Sequence, residues 1–424
     1  MDQTTMSGHT EGSEDEFTNE WSERVFSEVV EINNYPSLEK GEAQTYVAME
    51  NLKPNTREVQ DTSQKEYKYS APRFKNGDTL FPKMSRCLEL GKTAYVDVLD
   101  EDEVAFGSTE FIVMRPKSKE ILPKYIYYTL RREEIRQHAL SWATGSTARR
   151  QRISTDFFDN LSIKIPPKET QSKIVDFLDA IDTKLRKNKN MNNILEEIAR
   201  TLYRYWFIEF TPYKDFKQTE IGNIPEGFEV KTIGEVSEIN PSTINDNFRH
   251  EVIEYVDISS TGRGFVENTD KYSLDDAPSR ANRTVADGDT IISTVRPGRE
   301  QYAYINNPAE NLVVSTGFVV LRPIKDSVLN DISLYYATTT SNVIRYFENN
   351  ASGSAYPSVN VNLIKDTKLP VPPKNDVEEF SSTVKSFREL ISKNDSEHET
   401  LSHIRDILLP KLLRGEINIH NSSC

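Results

Sequence analysis

Three arginines, Arg149, Arg150 and Arg152, crowd into four positions just after a Gly145-Ser146-Thr147 turn. Guanidinium groups are planar forks of N–H donors, matched to phosphate oxygens and to the guanine edge. At this density beside a glycine turn they make either a nucleic-acid contact surface or a solvated basic loop. A second turn, Gly353-Ser354, leads into Ala355-Tyr356-Pro357-Ser358-Val359-Asn360. That loop has no arginine, but its hydroxyls and amide can hydrogen-bond bases or phosphates. Lys83 and Arg86 follow the block Gly77-Asp78-Thr79 and correspond loosely to Arg296 and Arg299 after Gly288-Asp289-Thr290. The candidate DNA contacts are therefore Lys83, Arg86, Ser146, Thr147, Arg149, Arg150 and Arg152 in one half, and Arg296, Arg299, Ser354, Tyr356 and Asn360 in the other.

A search for catalytic residues returns almost nothing. Arg86-Cys87-Leu88-Glu89-Leu90-Gly91-Lys92-Thr93 resembles a phosphate loop, but Arg86 stands where the first glycine must turn the backbone. Gly262-Arg263-Gly264 lacks a third glycine and reads as a turn. Glu229-Val230-Lys231 has the acid-x-Lys pattern of many nucleases, with no aspartate at useful spacing before it. The six histidines are scattered, and no Cys/His cluster has metal-ligand spacing. Cys87 and Cys424 do not make a disulfide framework, which fits a reducing cytoplasm.

The net charge of -14 argues against nucleic acid when taken as a sum. Its distribution points the other way. The first 20 residues hold six acids and no Lys or Arg, and read as a disordered acidic tail. From Ile112 to Lys168 there are 12 Lys and Arg against 5 Asp and Glu, whereas Val319 to Lys374 has 6 against 4. A basic surface is thus expected in the first half. No run approaches the roughly 18 apolar residues of a membrane span, and Met1-Asp2-Gln3 does not begin a secretory signal pattern.

The elements that carry these residues occur twice. Glu31-Ile32-Asn33 returns as Glu238-Ile239-Asn240, Arg115-Pro116 as Arg322-Pro323, and Pro166-Pro167-Lys168 as Pro372-Pro373-Lys374. The offset of roughly 206 to 211 residues is too long for a solenoid repeat and marks a duplicated domain. In each copy a strand- and turn-rich part leads to a helical patch, Lys124 to Ser141 or Asp331 to Asn349, then to the Gly-Ser turn and a Pro-Pro stop.

After each stop the apolar positions step by four and three. Ile174, Leu178, Ile181, Leu185, Asn188, Asn192, Leu195, Ala199, Leu202 and Trp206 recur as Phe380, Val384, Phe387, Ile391, Asn394, His398, Leu401, Arg405, Leu408 and Leu412. This heptad stripe predicts two helices of about 38 residues, roughly 57 Å each. Such a stripe cannot be buried within a small domain, so the simplest partner is the other helix. In an antiparallel pair, Asn188 is expected to face His398 and Asn192 to face Asn394, a polar layer that penalises slipped registers. The alternative is that these four residues sit at a frayed or solvent-facing part of each helix.

Three stretches resemble the specificity subunit of type I restriction-modification systems. They are Ile165 to Phe210, with its Pro-Pro, Gln171, Asp179, Asp182 and Trp206-Phe207; Glu220 to Asn240; and Leu408 to Ile417. With the Gly-Asp-Thr and Gly-Ser blocks, the likeness spans nearly the whole chain after residue 20. Val377 stands where the first copy has Gln171, so that position need not be functional. The first-half Gly-Ser loop is also two residues longer than the second.

The resemblance implies a mixed α+β fold. Two target recognition domains would be held apart by paired antiparallel coiled-coil helices, with an internal pseudo-two-fold. The expected division is a tail at 1–20, recognition domains at 21–167 and 211–373, long helices at 168–210 and 374–417, and a tail at 418–424. The resemblance further implies no catalysis by this chain. It would bind a split, asymmetric site on double-stranded DNA and recruit two methyltransferase subunits and restriction subunits. S-adenosylmethionine, ATP and Mg would sit on those partners. If the helices set the spacer, half-site centres would lie roughly 34–36 Å apart, one turn of DNA. Two other classes remain open: a stand-alone nuclease or transferase, and a coiled-coil adaptor without sequence readout.

Overall fold

The computed structural model describes residues 21–68, 70–145, 151–354, 356–417 and 419. The expected tails and the segment Ser146 to Arg150 lie outside the described residues, apart from Ile419. The chain divides into two compact units, Met1–Arg186 with Glu399–Cys424, and Lys187–His398. The division falls within both long helices, Lys168–Phe207 and Lys374–Leu413. Each unit therefore holds one strand-rich module and a segment of each helix.

In the first unit an antiparallel sheet runs Val30–Ile32, Phe111–Pro116, Thr79–Pro82, Ala94–Tyr95. A second sheet runs Ser63–Glu66, Ala43–Val47, Ala105–Gly107, Arg73–Phe74, with one parallel pairing. Thr79–Pro82 is buried at all four positions, so it reads as a continuous apolar run. Its side chains still alternate: Leu80 and Val113 enter one core cluster, while Phe81 and Ile112 enter the other. The second unit repeats this. Thr290–Ser293 lies centrally in a five-stranded sheet; Ile291 and Val320 point to one cluster, and Ile292 and Val319 to the other.

The repeated motifs turn out to be backbone devices. Asn33 and Asn240 both adopt the left-handed conformation, with φ of 57° and 53°, which asparagine tolerates better than most residues. Each Oδ1 accepts the N–H of the adjacent strand, from Val113 at 3.1 Å and Val320 at 2.9 Å. The Gly-Asp-Thr and Arg-Pro blocks are partners. Arg115 donates to both oxygens of Asp78 at 3.0 and 2.6 Å, and Arg322 donates to both of Asp289 at 2.8 and 2.7 Å. Those carboxylates are closed to solvent and also accept from the backbone of Lys75 and Ala286.

Each module is clasped at its base. Ser22–Val25 pairs antiparallel with Ser162–Ile165, and Glu229–Thr232 with Lys368–Val371. Entry and exit strands thus lie side by side, and the Pro-Pro stop then turns the chain into a long helix. Each expected helical patch is two helices. Pro123–Arg131 and Glu133–Ser141 are split at Arg132, whose ψ of 134° is not helical. Asp331–Thr338 and Ser341–Asn349 are split by the Thr340 N-cap, which accepts from Val343 N.

Within each unit the two helix segments run antiparallel. In the first unit Ile174, Leu178, Leu409 and Leu412 share one core cluster. In the second, Tyr203 and Phe207 pack edge-on against Phe380, with centroids 5.4 and 5.6 Å away.

Candidate nucleic-acid interface

The Arg-rich loop and the segment after Gly-Asp-Thr, remote in sequence, are stitched together. The strand Thr79–Pro82 continues into Lys83 and Met84, which lie against the far end of the Gly-Ser loop. Ser85 N donates to Gln151 O at 3.1 Å, and Ile153 N donates to Lys83 O at 2.9 Å. Arg152 in turn exchanges both backbone hydrogen bonds with Thr144, at 3.0 and 2.9 Å. Thr144, Gln151, Arg152 and Ile153 are therefore joined with Lys83 and Ser85 in one small antiparallel ladder.

Side chains decorate that frame. Arg152 forks onto Glu110: Nε lies 2.9 Å from Oε2, and Nη2 lies 2.7 Å from Oε1. The Glu110 carboxylate holds the guanidinium pKa above its ordinary value, so Arg152 is a permanent, oriented cation on the surface. Lys83 Nζ donates to Thr109 O at 2.9 Å. Arg86 is exposed and pairs with Glu89 at 3.2 Å. Ser146, Thr147, Arg149 and Arg150 fall outside the described residues.

The second unit builds the same frame. Arg296 N donates to Pro357 O, and Val359 N to Thr294 O, both at 2.8 Å. Ser358 exchanges two bonds of 2.9 Å with Ser352. Arg152 and Ser358 thus occupy one position, and Thr144 and Ser352 another. This register corrects the sequence correspondence. Lys83 matches Thr294, and Arg296 matches Ser85; the charged residues do not pair across the copies as their types suggested.

The second frame carries different chemistry. The Arg296 guanidinium lies over the Tyr356 ring, 4.8 Å from its centroid, and Tyr356 is 72% exposed. Arg299 and Ser354 are exposed. Asn360 has a structural duty: its Oδ1 accepts Asn362 N at 2.8 Å and caps the helix Val361–Asp366. That bond occupies one of its acceptor sites and fixes its orientation.

Each module is fastened to the long helices through a buried carboxylate; sequence reasoning noted Asp182 only as a motif residue and missed Glu196. In the first unit Asp182 accepts from Tyr128 Oη at 3.0 Å, Arg131 Nη1 at 3.1 Å and Arg405 Nη1 at 3.0 Å. Burial alone would raise its pKa, but Arg131 and Arg405 override this and hold it below the usual carboxylate range. In the second unit Glu196 accepts from Tyr335 Oη at 2.8 Å, Tyr336 Oη at 3.1 Å, Arg200 at 2.7 Å and Arg388 at 2.7 Å. The signal was available, since Tyr127-Tyr128 returns as Tyr335-Tyr336. Asp179 adds ion pairs to Arg57 and, at 2.7 Å, to Lys124.

The polar residues of the helix stripe meet in the second unit. Asn394 Nδ2 donates to Asn192 Oδ1 at 2.8 Å, joining two residues expected to face each other. Asn188 also bonds across the pair: its amide donates to Glu397 Oε2 at 2.8 Å, next to the expected His398, and to Asn394 O at 3.4 Å. Glu397 offers a charged acceptor.

The catalytic lookalikes dissolve in the structure. Ser85–Glu89 is a short helix, not a phosphate-cradling loop. The half-buried Cys87 thiol has its pKa raised by burial, which disfavours a thiolate. Glu229 and Lys231 pair with each other at 2.8 Å on the clasp strand. Among the described residues, no group of three or more His, Cys, Asp and Glu could hold a metal ion, and no helix is long and apolar enough to cross a membrane.

Comparison with known proteins places this geometry. The family model described as the type I restriction modification DNA specificity domain matches twice, over residues 18–198 and 225–402. The chain is 24% identical over 405 residues to the type I restriction enzyme HindI specificity subunit of Haemophilus influenzae, covering 81% of this chain and 87% of that protein. It is also 24% identical over 310 residues to the MjaIX specificity subunit of Methanocaldococcus jannaschii, covering 70% of each. In fold it is similar to the crystal structure of the type I restriction-modification system S subunit from M. genitalium. The TM-score is 0.52 and the identity 18%, over 93% of this chain and 96% of that one.

Proposed function

The chain belongs to the type I restriction-modification DNA specificity family, and from that we propose that its two modules each read one half of a split, asymmetric site on double-stranded DNA. It is a specificity subunit, the recognition component of such a system and not its catalyst. The observation that carries the proposal is the pair of matching frames with unlike side chains. One backbone ladder presents the Arg152–Glu110 fork; the other presents Arg296 on Tyr356. A shared scaffold with divergent polar tips is what two readers of different half-sites require.

In this reading Lys83, Arg86, Ser146, Thr147, Arg149, Arg150 and Arg152 contact one half-site. Arg296, Arg299, Ser354 and Tyr356 contact the other, with Asn360 supporting their loop. The segment division anticipated from sequence, with recognition domains at 21–167 and 211–373, belongs to the same proposal. So does the residence of the system in the cytoplasm.

The long helices are the proposed seat of methyltransferase subunits, with restriction subunits joining the complex. Exposed apolar side chains on them support this. In the second unit Met191, Ile194, Ile198 and Tyr205 stand 43–56% exposed on one helix. In the first, Phe177, Ile404 and Ile407 are 36–42% exposed. Exposed apolar clusters of this kind mark protein-binding surfaces. Methylated bases mapped genome-wide, in cells carrying the chain with the methyltransferase subunit of its system, test the proposal. Two short defined half-sites around an unspecified spacer are expected. Methylation at a single uninterrupted site, or none that depends on this chain, would refute it.

A further inference from the structure

The turn that carries Arg296 is strained and pinned. Arg296 has φ of 48° and ψ of 58°, and Glu300 has φ of 54° and ψ of 41°. Neither is glycine, and such left-handed residues collect where a loop's shape serves a purpose. Between them Pro297–Arg299 makes one tight helical turn, with Pro297 buried. Arg299 N donates to Arg296 O at 2.9 Å, and Arg296 N donates to Pro357 O at 2.8 Å. Gly298 packs so closely on Glu348 that an added Cβ would lie 2.1 Å from its carboxylate. The backbone beneath Arg296 is thus fixed on three sides.

The side chain is fixed as well. Its guanidinium lies 4.8 Å from the centroid of the Tyr356 ring, in a loop whose tyrosine is otherwise open to solvent. A phosphate needs only a positive charge nearby, and a lysine on a free stem supplies one. A guanine edge needs two donors at set spacing in a set plane. Pinned backbone and ring contact together restrict the guanidinium before binding, so little rotamer freedom is lost on contact. The first module has Ser85 at the equivalent backbone position, so this device belongs to the second half-site alone.

We propose that Arg296, held against the Tyr356 ring, reads a guanine at one fixed position of the half-site bound by the second module. The assignment rests on the proposal that this module binds DNA. Arg299, on the same turn, provides the control for charge alone.

Selection from randomised DNA duplexes by the full chain, purified with its methyltransferase subunit, tests it. The wild type should enrich a split motif with guanine at one position that depends on Arg296. Arg296→Lys and Arg296→Gln should each relax that position by about tenfold or more and leave the other positions intact. Tyr356→Phe keeps the ring and should keep the guanine; Tyr356→Ala should relax it; Arg299→Ala should weaken all sequences alike. If Arg296→Lys retains the guanine, or Arg296→Gln weakens every sequence equally, Arg296 is a phosphate contact and the assignment fails. A wild type that enriches no motif overturns the DNA-binding reading itself, and the assignment with it.

Discussion

Glu196 and Arg388 meet at 2.7 Å with side chains only 11% and 8% exposed, although 192 residues separate them in the chain. The bond ties one long helix to the other. The same carboxylate takes the hydroxyls of Tyr335 and Tyr336 and so ties both helices to the second module. Removing one partner of a buried pair leaves an uncompensated charge, which costs about 3–5 kcal/mol. Glu196→Ala should therefore lower stability by that amount in urea unfolding. Changing Glu196 to Leu and Arg388 to Met together should cost clearly less. Equal losses would show that the pair is not a coupled unit.

Asp182 sets an acid limit. Its folded pKa lies below the usual carboxylate range because of Arg131 and Arg405, whereas the unfolded value is about 3.9. The unfolded chain therefore binds the proton more readily. The stabilisation is complete above the unfolded pKa and drains away as pH falls through the folded one. Asp182→Asn should destabilise the protein at pH 7, and its difference from wild type should narrow below about pH 4. A difference that stays constant between pH 7 and pH 3 would contradict this.

The Asn192–Asn394 bond trades stability for register. Replacing both with leucine should raise the melting temperature by a few degrees, about 1 kcal/mol. It should also let cysteine cross-links form at slipped positions along the helices. A double-leucine protein that melts lower, with cross-links unchanged, would mean the pair is not a register device.

Mutating Arg149, Arg150 and Arg152 to Ala should weaken DNA binding and reduce the slope of log affinity against log salt by about 2–3. Arg152→Ala alone should contribute less than the roughly one unit of a full phosphate contact, because Glu110 already neutralises part of its charge. Identical salt slopes for wild type and the triple variant would remove this loop from the phosphate contacts.

Gln171 is fully buried. It accepts Leu122 N at 2.8 Å and donates to Glu120 O at 2.8 Å and Pro166 O at 3.0 Å. Val377 fills the same place in the second copy. Gln171→Val should cost about 1–3 kcal/mol by stranding those backbone groups, with DNA specificity unchanged in the surviving folded protein. A shift in specificity would give Gln171 a role beyond packing.

The repeat was legible because it is written in residues the backbone cannot exchange. Asn33 and Asn240 hold a left-handed turn, and Asp78 and Asp289 each need their arginine. The helix stripe was legible because burial follows its period, from Ile174 and Leu178 to Val384 and Leu412. The Glu196 and Asp182 networks were not. Tyrosines on an amphipathic helix look like ordinary core, and the charges that cap them come from helix segments remote in sequence. The loop correspondence was misread for a related reason. Charge type was followed at Lys83 and Arg296, whereas backbone pairing sets the equivalence. At the loop tips sequence indicates chemistry, but no spacing rule indicates which side chain is stacked, forked or used as a cap.

The buried charges also break the symmetry of the duplication. At matching helix positions, Asp182 corresponds to Arg388 and Ala199 to Arg405. Two copies of the first half, paired with each other, would set the Glu196 of one against the Asp182 of the other where Arg388 now stands. Two copies of the second half would set Arg388 against Arg405. Like charges in a desolvated seam repel, so neither half is fit to serve as its own mate. The two halves are thus complementary and not interchangeable, since the second supplies the arginines that neutralise the buried carboxylates of the first.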